Sequence, residues 1–521
     1  MTTPQQIQKM PTGIAGFDAI AYGGIPKGRA TLLAGTAGSG KTIFALQFLV
    51  NGLTQFNENG VIVTFEETAD DLARNVQGLG WDIKQYVADG RIAMVDASPE
   101  PGSGYLEVGK YDLSALLVRI EHAVRKVNAT RVILDSVGAI FPQFADSNLI
   151  RSELHRVVSG LRDFNVTSLV TVERIHEYGE ISRFGVEEFV ADNVLILRNP
   201  LENEKRRRTI EILKFRGTDH QKGESPLTID TLYGITIIPV SIIELKQKSS
   251  NVRISSGNTE FDQMCGGGVF RDSIILVSGA TGTGKTLMVT QFMKAGIESN
   301  NRVMLFAFEE NRDQLVRNAT SWGVDFESAE QAGVLKIICR YPESMGLEEH
   351  FNHIEREIRA FEPTVIAIDS LSALERVSTI KSFREFVIAL TSFIKGREIV
   401  GIFTNTTALL MGGGSITETH ISTITDSIVL LRYVEVEGAI LRAITVLKMR
   451  GSWHDTQIRE YGVTSKGMQI REPFRGVGGI LSGTITYSVE NSSAPAKWWS
   501  IAWLTRWFRC RSSRNSAAPP Q

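Results

Sequence analysis

Two octets carry the most legible chemistry in this chain. Gly35-Thr36-Ala37-Gly38-Ser39-Gly40-Lys41-Thr42 and Gly279-Ala280-Thr281-Gly282-Thr283-Gly284-Lys285-Thr286 both fit GxxxxGK[ST]. Each follows an apolar run and opens a helical pattern, the setting in which such a loop wraps phosphate. The glycines let successive backbone N–H groups turn inward, the helix N-terminus adds positive potential, and the lysine neutralises β- and γ-phosphates. Thr42 and Thr286 are placed to ligate Mg²⁺. A Gly-rich turn that binds nothing is the bland alternative, and two complete matches in the right setting outweigh it.

Acids and bases recur around both loops. Asp135 and Asp369 each end an apolar run, "RVILD" and "VIAID", where a Walker-B acid would contact Mg²⁺ or its water shell. An Asp there also serves simply to cap the next helix. The pairs Glu66-Glu67 and Glu309-Glu310 follow two other apolar runs. Adjacent carboxylates beside a phosphate site suit a base that deprotonates or orients a nucleophile. Lys214/Arg216 and Lys448/Arg450 alternate, so on a strand both members of a pair face one way. Such a pair calls for an anion, and ATP held by a neighbouring subunit is the nearest candidate. The bland reading is an exposed edge strand with ordinary charges.

These residues must be positioned by elements, and the elements repeat. "GFDAIAYGGIPKGRATLLAGTAGSGKT" from Gly16 matches "EFDQMCGGGVFRDSIILVSGATGTGKT" from Glu260, and "VTFEET", "RVILDSV" and "ILKFRGTDH" return as "FAFEEN", "VIAIDSL" and "VLKMRGSWH". A duplication explains this, and the repeat is a whole domain, not a solenoid unit. Within each copy short β-branched runs ("ATLLAG", "GVIVTFEE", "RVILDS", "TSLVTVER", "NVLILRN") alternate with helical patterns such as "TIFALQFLVNGL". That alternation predicts an α/β fold: two tandem P-loop NTPase domains, each a mostly parallel sheet flanked by helices. The expected boundaries are 1–245 for the first domain, 246–252 for a polar, basic linker, 253–485 for the second domain and 486–521 for a tail without counterpart.

Composition agrees. A chain of 521 residues suits two domains, and 42% apolar with 22% charged residues is ordinary for a soluble fold. The formal net charge of −2 weighs against a chain built to grip nucleic acid. Cys265, Cys339 and Cys510 are scattered, so neither a disulfide framework nor a zinc site is expected. With no signal-peptide pattern and no long apolar run, the expected location is the cytoplasm.

Taken together, "MCGGG", "GATGTGKT", "RYPES", "AIDSLSAL", "THISTITDS" and "KMRGSWHD" make the chain, from about Met10 to Ile485, resemble the KaiC family of circadian-clock ATPases. The resemblance implies RecA/DnaB-like domains and a double-ring homohexamer with ATP at every subunit interface. It implies that the second ring phosphorylates and dephosphorylates itself on an adjacent Ser and Thr, here Ser422 and Thr423, while the first ring hydrolyses ATP. At the equivalent place the first copy has Glu188 and Phe189, neither of which accepts a phosphoryl group as an alcohol does. A Ser-Thr pair before a strand can also just bond backbone.

Residue by residue, the resemblance implies nucleotide contacts from Thr36 to Thr42 and from Lys214, Phe215, Arg216, Thr218, His220, Asp230 and Thr231 in the first domain. Gly78 stands where the family often has Ser. In the second it implies contacts from Thr281, Gly282, Thr283, Gly284, Lys285, Thr286, Leu287, Trp322, Arg442, Lys448, Met449 and Arg450. Glu309 matches both a Mg²⁺ contact and the general base, and Thr417 a Thr that shares phosphate with Thr423. Implied partners are a KaiB-like protein on the first ring and an output histidine kinase. The tail departs from the segment that docks the activator KaiA, which argues against a KaiA-like partner. Trp499, Trp503 and Trp507 lie at helical spacing among Arg506, Arg509 and Arg511, a pattern suited to a membrane surface, to a partner groove or to packing on its own ring. A RecA-like motor on nucleic acid and a non-oscillating stress regulator with the same kinase chemistry are the competing readings.

Overall fold

The computed structural model describes residues 7–98, 113–139, 147–181, 190–202, 204–239, 249–407, 421–480 and 486–487. Glu188, Phe189, Thr417 and the Trp/Arg-rich tail lie outside the described residues.

Nine strands form the first sheet: β1 (Ala30–Gly35), β2 (Gly60–Thr64), β3 (Ile92–Asp96), β4 (Arg131–Asp135), β5 (Thr167–Glu173), β6 (Asn193–Arg198), β7 (Thr209–Phe215), β8 (Glu224–Asp230) and β9 (Gly234–Ile237). Nine more form the second: β10 (Ile274–Gly279), β11 (Val303–Ala307), β12 (Leu335–Cys339), β13 (Val365–Asp369), β14 (Val400–Thr406), β15 (Ser427–Val436), β16 (Ala439–Met449), β17 (Arg459–Thr464) and β18 (Gly467–Pro473). Their spatial orders, β3-β2-β4-β5-β1-β6-β7-β8-β9 and β12-β11-β13-β14-β10-β15-β16-β17-β18, are the same. Six strands of each sheet run parallel and the last three antiparallel.

Both faces of each sheet are covered, as the β-branched runs require. Alternate residues of one strand feed separate cores: Leu32 packs with Val132 and Leu134, whereas Leu33 packs with Phe44 and Phe48. Those phenylalanines belong to α1 (Lys41–Gln55), and α2 (Lys285–Glu298) covers the matching face of the second sheet. Each helix starts at a glycine in the left-handed region, Gly40 at φ 99° and Gly284 at φ 94°, where an L side chain would be strained.

One feature has no sequence signature. Between β6 and β7 the register slips at Leu213, and between β15 and β16 it slips at Leu447. Both bulged leucines are exposed, and each stands one residue before the lysine of a Lys/Arg pair. A bulge bends and twists its strand, so it re-aims the side chains that follow.

The two halves meet through α3 (Leu347–Phe361) and α4 (Ile380–Lys395) of the second. Ile238 of the first half is buried among Leu347, Phe351 and Phe386. Arg207, 13% exposed, donates to Glu348 and Glu385 at 2.8 Å each. Beside these contacts lies a cleft of about 200 Å³ between Thr228–Asp230 and Arg340, Asn352, His353 and Arg356.

Candidate active site

The P-loops leave the carboxyl ends of β1 and β10, and their internal bonds are superimposable in pattern. Ser39 Oγ donates to the Thr36 carbonyl and Thr283 Oγ1 to the Ala280 carbonyl, both at 2.8 Å. Lys41 Nζ reaches the carbonyls of Gly35 and Thr36 at 2.9 and 3.0 Å, and Lys285 Nζ those of Gly279 and Ala280 at the same distances. Burial lowers both ammonium pKa values, opposed by nearby carboxylates. A phosphate entering either loop therefore meets a desolvated cation.

Asp135 and Asp369 sit at the ends of β4 and β13, on the faces covered by α1 and α2. The Asp369 carboxylate is almost fully buried, and burial raises its pKa. It accepts from Thr404 at 2.5 Å and from Thr286 at 2.8 Å. Asp135 accepts from Thr171, the equivalent of Thr404. The donor set fits Mg²⁺: in the second site the hydroxyl and the carboxylate expected to hold it already meet. Among the described residues no three His, Cys, Asp or Glu side chains form a metal cluster.

The paired glutamates differ between the copies. Glu66 has its pKa raised by burial, then by Glu173 and Asp135, and Glu67 accepts from Asn75 at 3.2 Å. Glu309 accepts from Ser370 at 3.0 Å and from Arg376 at 2.6 Å. Glu310 accepts from Asn318 at 2.9 Å, and burial followed by Asp369 raises its pKa. Arg376, Thr171 and Thr404 had no motif to announce them, and Ser370, inside "AIDSLSAL", had no role assigned to it. Glu173 did carry one signal, since it follows the apolar stretch of "TSLVTVER".

The Lys/Arg pairs lie at the opposite end of the sheet from the P-loop of their own chain. Lys448 Nζ donates to the carbonyls of Ser422 and Thr425 at 2.6 Å each, and Arg450 donates to the Thr423 carbonyl at 2.7 Å. In the first copy Lys214 Nζ donates to the Ala191 carbonyl at 2.9 Å, and Arg216 stands 3.6 Å from Asp192. Ser422 and Thr423 form a single 3₁₀ turn, Ile421–Thr423, ahead of β15. Asp426 fixes this turn by pairing with Lys395 at 2.9 Å and accepting from the Ile274 N–H at 2.9 Å. Ser427 is level with Ile275 and Gly279 with Leu431, so the P-loop begins roughly 13 Å further along at ~3.3 Å per residue.

The remaining expected contacts are dispersed. Phe215 (7% exposed), Leu287 (1%) and Met449 (7%) are buried in the cores, so a nucleotide can meet only their backbone. His220 packs edge-on against Phe215, with Nδ1 2.9 Å from the Gln221 carbonyl, and Thr218 lies in the turn between them. Gly78 and Trp322 both cap the helix after the glutamate pair, so one copy offers an indole where the other offers nothing. Arg442 lies over the Tyr433 ring at 5.7 Å, and Tyr433 flanks Gly282 of the P-loop. Asp230 faces α3, 3.8 Å from Arg356, and Thr231 follows it into the turn before β9.

The chain as a whole is similar to known proteins. A family model described as "ATPase: KaiC" matches residues 10–241 and again 254–474. The chain is 62% identical to "Circadian clock protein KaiC3" of Synechocystis sp., over 93% of this chain and 96% of that protein. It is 56% identical to "Circadian clock oscillator protein KaiC" of Thermostichus vulcanus, over 94% and 95%, and 54% identical to the protein of that name from Synechococcus elongatus, over 93% and 94%. A family model that matches both halves, and relatives matched over nearly their whole length, place the chain in the KaiC ATPase family, to which it belongs.

Proposed function

We propose that the chain is a clock-type signalling ATPase: the first nucleotide site hydrolyses ATP, and the second transfers phosphate to Ser422 and Thr423 and removes it again. One observation carries this reading. The hydroxyl pair is clasped through its backbone by Lys448 and Arg450 at the end of the sheet remote from its own P-loop. Roughly 13 Å or more separates it from that loop, too far for in-line attack at about 3–3.5 Å. The acceptor hydroxyls and the cation pair therefore serve ATP bound to a neighbouring copy, in a ring. Six copies in two stacked tiers fit the family, with residues 1–245 and 253–485 as the tiers' subunits, 246–252 as the linker and 486–521 as the tail.

Lys285 and the loop N–H groups hold the triphosphate, and Lys448 and Arg450 present the hydroxyls in line with it. Glu309 takes the hydroxyl proton as the hydroxyl oxygen bonds the γ-phosphorus and the bond to the β-bridging oxygen breaks, its electron pair leaving on ADP. Thr286 and Asp369 would hold Mg²⁺, which would supply charge neutralisation on the phosphoryl group. In the first site Glu66 and Glu67 act on water. A KaiB-like partner on the first ring and an output histidine kinase are part of this proposal, and family membership supports them.

The test is a Ser422→Ala/Thr423→Ala variant, given labelled ATP. Phosphate incorporation is expected to fall to background while ATP hydrolysis by the first site persists. Loss of all hydrolysis in a protein that still assembles overturns this division of labour.

A further inference from the structure

The two sites differ at one strand position. Ile133 and Asp135 of β4, and Leu169, Thr171 and Glu173 of β5, alternate toward the face covered by α1, since Ile133 and Leu169 share a core with Phe44 and Phe48. Thr171 confirms the orientation by bonding Asp135. Glu173 is the last residue of β5 and pairs in register with Gly35, whose carbonyl accepts from Lys41 Nζ at 2.9 Å. Its carboxylate therefore lies beside the lysine of the P-loop. In the second sheet Thr404 bonds Asp369, and the residue level with Gly279 is Thr406. The frame is otherwise unchanged: the next residue donates its N–H to the glycine carbonyl in both copies, Arg174 at 3.0 Å and Thr407 at 3.1 Å. Only the first site places an acid there.

A carboxylate next to the lysine that receives the γ-phosphate is repelled by that phosphate unless something donates to both. Water does so. We propose that Glu173 is a catalytic residue of the first site, holding the attacking water against the γ-phosphate, and that Thr406 leaves the equivalent place in the second site without a water-holding acid. This deepens the hydrolytic role given to the first site and rests on it. The water oxygen bonds the γ-phosphorus as the bond to the β-bridging oxygen breaks. That electron pair stays on ADP, and the water proton passes to the carboxylate cluster of Glu173 and Glu66, then to solvent. Glu66 supports the assignment, because Glu173 is the largest of the neighbouring charges that raise its pKa after burial itself. The second site needs no such acid, because its nucleophile is a hydroxyl carried in by protein. Thr406 instead donates its N–H to Ser372 Oγ at 3.1 Å.

The experiment uses full-length assembled protein, single-turnover ATP hydrolysis, and bound nucleotide quantified in parallel. Glu173→Gln keeps the size and hydrogen bonding of the side chain and removes its charge. It is expected to slow first-site hydrolysis by about 10²-fold with nucleotide occupancy unchanged, as loss of general-base assistance does, and Glu173→Asp to recover part of the rate. A wild-type rate in Glu173→Gln, or a rate loss that only tracks lost occupancy, overturns the proposal. Thr406→Glu keeps the question open to test if Glu173→Gln fails to fold: it is expected to raise hydrolysis at the expense of phosphate on Ser422 and Thr423, and no change in either counts against the proposal. Lys41→Ala, assayed only in the fraction that assembles, separates the two readings. If hydrolysis survives it, the first-site assignment falls and Glu173 with it. If hydrolysis is lost in Lys41→Ala but normal in Glu173→Gln, only the role of Glu173 falls.

Discussion

Glu309 and Glu310 are chain neighbours in unlike surroundings. Glu310 turns back onto Asn318, half-buried, and its proton affinity is raised by burial and by Asp369. Glu309 keeps 38% of its side chain exposed and is oriented by Ser370 and Arg376. A base acting on a hydroxyl that arrives from another subunit must be reachable, and Glu309 is the reachable member. Glu309→Gln is expected to slow autophosphorylation by about 10²–10⁴-fold, with nucleotide binding less affected because Lys285 and the loop remain. Glu310→Gln is expected to cost less. Single-turnover phosphate incorporation with occupancy measured alongside checks both, and near-normal rates in Glu309→Gln shift the role to Glu310 or to water. The pair itself was legible, since two acids after an apolar run recur in both copies. Which member acts was not, because that depends on Arg376 and Ser370, which no spacing rule connects to it.

Strands and P-loop helices were readable from their β-branched runs and glycines, because their local preference and their burial agree. Bulges at Leu213 and Leu447 were not, because a one-residue slip leaves the apolar pattern of the strand intact. Nor was the contact face of α3. This helix carries His350, His353 and Arg356, and His353 is 9% exposed. Its Nε2 accepts from Arg340 at 3.1 Å, and its Nδ1 lies 2.8 Å from Arg356. Burial, then Arg340, pushes its pKa down to about 4, from 6.5 unperturbed, with Glu357 opposing. The folded state thus refuses a proton that the unfolded chain accepts. Stability contributed by neutral His353 is full above pH 6.5 and lost as pH falls toward 4, up to about 3 kcal/mol. His353→Asn is therefore expected to flatten the fall in melting temperature between pH 7 and pH 4.5. A slope equal to that of the unchanged protein rules His353 out as a contributor.

At the scale of the molecule, each chain carries its P-loops at one end of its sheets and its Lys/Arg pairs at the other. No single chain can bring the two together, whereas a head-to-tail neighbour can, and such contacts close into rings when the rotation permits. Tandem duplication was legible in the sequence; the shared strand order and this opposition of ends emerged only with the sheets. Nucleotide that binds the assembled form in preference to the separate chains would stabilise assembly by up to RT ln(1 + [ATP]/Kd), about 2.7 kcal/mol at a hundredfold excess over Kd. With several interfaces per ring the gain multiplies, and assembly becomes steep in nucleotide. Mg-ATP or a slowly hydrolysed analogue is expected to convert monomer to hexamer on a sizing column with light scattering. Lys41→Ala is expected to impair this more than Lys285→Ala, as family membership implies a first ring that supplies the main ATP-dependent contact. The second half of the chain keeps a further tie to the first through Arg207, Glu348 and Glu385, which needs no nucleotide. A monomer at saturating nucleotide refutes the ring, and equal impairment by the two lysine variants assigns assembly to both tiers alike.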